Sequence, residues 1–182
     1  MPKIRKNCAY RRVERAYTRI SKYRKKAYVR ARPHSVITKY VSGDQTTKFP
    51  VQLDLVATVD FQLRHNAMEA ARQTSNRVLE KQIGKNQYFM KLCKYPHHIL
   101  RENPLAAGAG ADRMSTGMSR SFGKLISSAA QIKEGDRIFT ISVPTQFVDK
   151  AKLALKRASY KLPFSYRIVI TQNKSPVPKI VA

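Results

Sequence analysis

Apolar residues in this chain recur with two spacings, and each spacing predicts a different element. The β-branched run from Ser35 to Val41 predicts a first strand, ended by Ser42, Gly43 and Asp44. Val51 to Leu63 alternates in part, with Val51, Leu53 and Leu55 on one face and an unbroken step at Val56 and Ala57; this predicts one long strand, covered on one side. Asn66 followed by Glu69 has the form of a capping box and starts a helix with a stop at Gly84. Within it Ala67, Ala71, Thr74 and Val78 make a narrow stripe of small residues that packs closely on the sheet. Arg72, Arg77, Lys81 and Lys85 fall on or near its outer side, where solvent and a polyanion are equally good neighbours.

Tyr88 to Tyr95 predicts another strand, leading through Pro96, His97 and His98 into a long loop. Past the loop, Leu125 to Ile132 and Arg137 to Val143 are apolar runs joined by Lys133, Glu134, Gly135 and Asp136, and a short polar turn of that kind predicts a hairpin. Pro144 ends the second run, and Thr145 caps a helix that reaches Tyr160. Phe147, Ala151, Ala154 and Ala158, with Val148 and Leu155 beside them, form its buried stripe; Lys150, Lys152, Lys156 and Arg157 lie around the opposite side. Pro163 stops this helix, and Phe164 to Thr171 predicts the last strand. Helices do not alternate singly with strands, so the order predicts an α+β fold rather than a doubly wound sheet.

The loop, Arg101 to Lys124 (RENPLAAGAGADRMSTGMSRSFGK), is the stretch that makes poor core. Between Pro104 and Ala111 stand Leu105, alanines and two glycines, with no acid, base or nucleophile. A segment so poor in side chains can approach another backbone closely and stay mobile. Arg101 precedes its tip, and Arg113, Arg120 and Lys124 follow, an arrangement suited to anchoring phosphates at the base.

Charge changes the picture most at the amino-terminal end. The chain has 182 residues, enough for one domain with a single core, and a net charge of +25 from 36 basic and 11 acidic side chains. Such a surplus repels itself unless a polyanion neutralises it, and nucleic acid is the natural partner. Residues 1–40 hold Lys3, Arg5, Lys6, Arg11, Arg12, Arg15, Arg19, Lys22, Arg24, Lys25, Lys26, Arg30, Arg32 and Lys39, opposed only by Glu14. Tyr10, Tyr17, Tyr23 and Tyr28 are interleaved and can stack on bases. With too little apolar surface for its own core, this stretch reads as an arm ordered by its partner, against the plainer reading of a solvated tail. No apolar run reaches about 18 residues and Met1 begins no signal-peptide pattern, so a soluble, cytoplasmic protein is expected.

Candidate catalytic chemistry fails on detail. Gly108 to Arg113 places arginine where a dinucleotide fingerprint needs its third glycine. Gly117 and Gly123 are separated by five residues rather than four, and Leu125 follows Lys124 where a phosphate-binding loop has serine or threonine. Asp112 beside Arg113 reads as a turn or ion-pair residue rather than a catalytic carboxylate. His97 and His98 are adjacent and point apart, which disfavours a metal pair. Cys8 and Cys93 are far apart without a CxxC spacing, so two free thiols are expected and no disulfide, metal or cofactor is called for.

The run GAGADRMSTGMSRSFGK, with YPHHILR just before it, resembles the signature of the universal large-subunit ribosomal protein family called L-sixteen in bacteria and L-ten-e in archaea and eukaryotes. Similarity extends from Ala16 to Thr171 and is weakest near Arg30, Ala31, Arg32 and Pro33, where the archaeal and eukaryotic pattern has Arg-Gly-x-Pro. The resemblance implies a compact α+β sandwich, two helices on a mainly antiparallel sheet, with a basic arm (1–33), a folded domain (34–172) carrying a mobile loop (101–113) and an extended tail (173–182). It implies a structural, non-enzymatic role in the ribosome, bound to large-subunit rRNA beside the peptidyl transferase centre and to neighbouring ribosomal proteins, with no homo-oligomer. The arm basics from Lys3 to Arg32, with Arg101, Arg113, Arg120 and Lys124, would hold rRNA. Pro104, Leu105, Ala106, Ala107, Gly108, Ala109 and Gly110 would face the tRNA acceptor arms. Two other readings are an RNA-modifying enzyme, or its RNA-delivery module, and a free-standing RNA chaperone.

Overall fold

The alternation of Val51, Leu53 and Leu55 builds an interior strand of the larger sheet. The computed structural model describes residues 4–18, 23, 25, 29, 31–103 and 123–172. Its strands are β1 (Val41–Gly43), β2 (Val51–Ala57), β3 (Phe61–Arg64), β4 (Phe89–Leu92), β5 (His98–Glu102), β6 (Lys124–Ile132), β7 (Arg137–Val143) and β8 (Tyr166–Gln172). The two long helices are α1 (His65–Gln82) and α2 (Val148–Ser159). The fold is α+β, with the strands in two antiparallel sheets, ordered β1-β4-β7-β2-β8 and β3-β6-β5. Helix α2 lies on β2, β7 and β8, α1 lies on β3 and β6, and the helices pack on each other. One apolar core joins the layers through Leu53, Leu55, Phe61, Leu63, Leu79, Phe139 and Leu155.

Division into two sheets corrects two of the strand expectations. The long strand from Val51 to Leu63 is interrupted at residues 58–60, and β2 and β3 belong to different sheets. Thr58 Oγ1 donates to the Ser165 carbonyl at 2.8 Å, and Asp60 Oδ1 accepts from the Glu134 N–H at 2.7 Å. The expected hairpin also opens out, because β6 pairs with β3 and β5 while β7 pairs with β2 and β4. Its turn residues bond outward: the Gly135 N–H donates to the Ala57 carbonyl at 3.0 Å, and the Ala57 N–H donates to the Asp136 carbonyl at 3.0 Å. Both chain crossings therefore meet at one corner, where strands leave one sheet for the other.

Smaller corrections follow from hydrogen bonding. Residues 34–40 are extended without a ladder, since the Val36 N–H goes to His65 Nδ1 at 3.0 Å and Thr38 Oγ1 to Glu69 Oε1 at 3.2 Å. Ladder pairing with β4 is confined to Val41–Gly43, beside which the Tyr40 carbonyl accepts from the Leu92 N–H at 2.8 Å, and Gly43 sits at φ 86° where an added Cβ would lie 2.1 Å from the Tyr88 carbonyl oxygen. The strand expected from Tyr88 to Tyr95 contracts to β4, and β5, which was not foreseen, forms after Pro96. Helix α1 starts at His65 without a side-chain cap. Asn66 Oδ1 instead accepts from the adjacent Ala67 N–H at 2.9 Å, and the Glu69 carboxylate is occupied by Arg72. Arg72 is buried rather than outward, and the buried positions of α1 are His65, Met68, Glu69, Ala71, Arg72, Ser75 and Leu79, with Ala67, Thr74 and Val78 only partly covered. Thr145 begins a 3-10 turn without capping; α2 follows, burying Ala151, Ala154, Leu155 and Ala158.

Candidate nucleic-acid interface

The charge that the sequence concentrates in its first residues is carried on backbone fastened at several points to the three-stranded sheet. Asn7–Tyr10 form a 3-10 turn in which the Ala9 N–H donates to the Lys6 carbonyl at 3.1 Å. Just before it, Arg5 Nε donates to Glu102 Oε1 at 2.6 Å, and Arg64 Nη1 donates to the Arg5 carbonyl at 2.6 Å. Tyr10 closes this clasp: its hydroxyl accepts from the Arg5 N–H at 3.1 Å, and its ring centre lies 5.9 Å from the Arg64 guanidinium carbon. Further along, Gln131 Nε2 donates to the Glu14 carbonyl at 2.6 Å. Tyr17 is held on both backbone groups, its N–H donating to His98 Nδ1 at 2.7 Å and its carbonyl accepting from the Ile99 N–H at 3.3 Å. The Arg101 guanidinium carbon lies 4.1 Å from the centre of the Tyr17 ring, within cation–π range.

Strand β5, which takes most of these contacts, also carries the loop. Glu102 and Lys124 are register partners on β5 and β6, so the two strand ends that flank the loop in sequence lie side by side. The arm and the loop base, 97 residues apart at Arg5 and Glu102, are thus joined. The sequence marks both as basic and does not show that they meet. His98, expected only to pack or to touch RNA, and Glu102, expected only as the start of the loop, make the junction together with Arg64 and Gln131, and nothing local in their spacing signals it.

Of the basic residues assigned to RNA, Arg5, Lys6, Arg11, Arg12, Arg15, Lys25, Arg32 and Lys124 are exposed, and Arg101 is half-buried. Arg5 is engaged by Glu102, whose hydrogen bond and charge raise its pKa above the ordinary guanidinium value. Arg12 makes an exposed pair with Glu14 at 3.3 Å. Lys3, Arg19, Lys22, Arg24, Lys26, Arg30, Arg113, Arg120 and the whole tip from Pro104 to Gly110 lie outside the described residues. So do Asp112 and the Gly108 to Arg113 run, while both cysteines are free thiols. Among the described residues, no three His, Cys, Asp or Glu side chains are grouped to hold a metal, and no helix is long and apolar enough to cross a membrane.

His98 can accept from the Tyr17 amide only when neutral at Nδ1. Burial first, then the neighbouring His97 and Arg101, holds its pKa below the ordinary histidine value, outweighing the opposite influence of Glu14. A lowered histidine pKa means that the unfolded chain binds the proton more readily. The contribution is present in full above about pH 6.5 and is lost as pH falls through the folded value. Protection factors at the Tyr17 and Ile99 amides, corrected for intrinsic exchange, are therefore expected to fall between pH 7.5 and pH 5. Equal protection at both pH values would show that His98 does not fasten the arm.

Comparison with known proteins places this architecture. The family described as ribosomal protein L16p/L10e matches residues 18–169, which run from the Tyr17 anchor into β8. The chain belongs to this family. A relative named large ribosomal subunit protein uL16, from Methanococcus maripaludis, is 46% identical over 166 residues, covering 91% of this chain and 92% of its own. Proteins of the same name from Methanoculleus marisnigri and Thermoplasma volcanium are 42% and 40% identical, over 87% and 88% of this chain and 95% and 92% of theirs. The chain is thus a ribosomal protein of archaeal type, a component of ribonucleoprotein and of translation.

Proposed function

We propose that this protein is a structural constituent of the large ribosomal subunit in the cytoplasm. It binds large-subunit rRNA near the peptidyl transferase centre and helps to shape the aminoacyl-tRNA site. The observation that carries this reading is the junction of arm and loop base on β5, where Arg5 meets Glu102 and Arg101 covers Tyr17. An arm bound to rRNA would set the direction of the loop through that junction. Residues 1–33 then serve as the rRNA-binding arm, 34–172 as the scaffold and 173–182 as a tail. Arg113, Arg120 and Lys124 anchor the loop base on phosphates, and Pro104 to Gly110 approach the tRNA acceptor arms. Family membership and the net charge of +25 support the rRNA part. Peptide-bond formation is left to RNA, and the protein contributes by holding the reactant tRNA in place. Neighbouring large-subunit proteins complete its surroundings.

Sucrose-gradient fractionation and a loop deletion test this reading together. The full-length protein is expected in large-subunit fractions. A variant lacking residues 104–110 should unfold at the same temperature as the parent, since the described core is built without them, yet give subunits impaired in maturation or in tRNA positioning. Deletion ribosomes that mature and translate normally would refute the role of the tip, and protein sedimenting away from the subunit would refute the ribosomal role itself.

A further inference from the structure

Strand β8 is the outer strand of the five-stranded sheet, bonded along all seven residues to β2, with no strand on its other side among the described residues. An open edge of this length is a template for another extended chain, and proteins usually blunt such edges with charge, proline or a bulge. Here Tyr166–Gln172 holds one charged residue, Arg167, and no proline. Val169 and Ile170 are 39% and 45% exposed, on opposite faces of the same edge.

Beside this edge runs a groove of about 540 Å³ between β8 and α2. Its floor is Leu55, Ile168 and Ile170, and its helical wall presents Leu153 flanked by Lys152 and Lys156. Tyr166 lines the same groove, and its hydroxyl is buried without a hydrogen-bond partner among the described residues. Apolar floor, lysine rim and a strand edge unpaired among the described residues thus lie together.

We infer that β8 and this groove form a docking site for an extended segment of another protein, which adds as a strand to the β8 edge. Its alternate apolar side chains enter the groove, and its acidic side chains meet Lys156, since Lys152 already donates to Asp149 Oδ1 at 3.0 Å. Main-chain pairing supplies the attachment and the pockets beside the edge select the side chains. Charge decides the occupant: a second copy of a chain carrying +25 would bring like charge to the lysine rim, whereas an acidic strand is complementary. RNA would leave Val169, Ile170 and Leu153 facing phosphate. The inference goes beyond the rRNA-binding role and does not depend on where the loop tip points.

The test places a photoreactive benzophenone side chain at Val169 of the full-length protein in cells, with adducts mapped by mass spectrometry. The expected result is a principal adduct to an extended segment of a different protein, with apolar residues in alternation and at least one aspartate or glutamate. Lys156→Glu, at an exposed position, should lower the adduct yield roughly tenfold, and reversing the charge of the mapped acidic residue should restore it. Absence of an adduct, adducts chiefly to RNA, to residues 173–182 of the same chain or to a second copy, or indifference to Lys156→Glu would each overturn the assignment. Sedimentation of the same sample separates this outcome from the ribosomal reading, since a protein that enters the subunit without a protein adduct at Val169 sinks the docking site alone.

Discussion

Removal of residues 1–32 is expected to flatten the salt dependence of binding to large-subunit rRNA more than any other change of similar size. Those residues hold 13 of the 36 basic side chains. Each phosphate contact contributes roughly 0.7 to 0.9 to the log–log salt slope, so about six lost contacts lower its magnitude by about 5. The full-length protein should then lose about a thousandfold more affinity between about 50 and 200 mM salt than the truncated one. Truncation also removes the Arg5, Glu14 and Tyr17 anchors, so a charge-only variant separates contact from docking. Arg11, Arg12 and Arg15 are exposed and outside the junction. Their joint replacement by glutamine should reduce the slope by roughly 2 to 3, while the Tyr17 amide stays protected. Filter binding or fluorescence anisotropy across a salt series reads both quantities. A slope unchanged by either variant would mean that the arm touches no phosphate.

Replacement of Arg72 by methionine is expected to cost about 3 to 5 kcal/mol of folding stability at pH 7, the loss typical when one partner of a buried ion pair is removed. Arg72 donates twice to one carboxylate, Nε to Glu69 Oε2 at 2.8 Å and Nη2 to Glu69 Oε1 at 2.7 Å, with side chains 10% and 4% exposed. Burial pushes the Glu69 pKa up, but hydrogen bonds from Arg72 and Gln73, the Arg72 charge and the Thr38 hydroxyl together hold it below the ordinary value. A lowered carboxylate pKa stabilises the fold above about pH 4.3 and ceases to do so as pH falls through the folded value. In the methionine variant the carboxyl is left buried without its cation and takes up a proton more readily. The difference between variant and parent should therefore shrink in denaturant titrations near pH 4. Glu69→Leu combined with Arg72→Met should recover most of the loss, because no unpaired charge remains. A cost below about 1 kcal/mol at pH 7 would show that water reaches Glu69. The pair also bears on the interface: Arg72 Nη2 donates to Thr38 Oγ1 at 3.2 Å, fixing residues 34–40 where the chain passes from arm to domain.

Legibility in the sequence followed the range of the interaction involved. The spacing of Phe147, Ala151, Ala154, Leu155 and Ala158 describes α2 because a helix face is set by residues three and four apart. The Gly84 stop, at φ 104°, is equally local. The hairpin expected around Gly135 was misplaced although the turn itself is present. A glycine at φ 82° permits reversal of the chain, but which strands then pair depends on Ala57, far away in sequence. The capping box at Asn66 and Glu69 failed for a similar reason, as Arg72 and Thr38 compete for the carboxylate.

Net charge of +25, the two helices, most strand positions and the family motif in residues 108–124 were determined by the amino-acid sequence alone. Each depends on composition or on neighbours within a few residues, so a linear reading contains it. Only tertiary structure decided that the strands divide between two sheets, that Arg72 is interior, that Arg5 and Tyr17 fasten the arm to the base of the loop, and that β8 is an edge strand among the described residues. Alternation states which face of a strand is buried, yet any neighbour of the right hydrogen-bonding pattern satisfies its backbone. The choice among neighbours is made by the packing of the whole core.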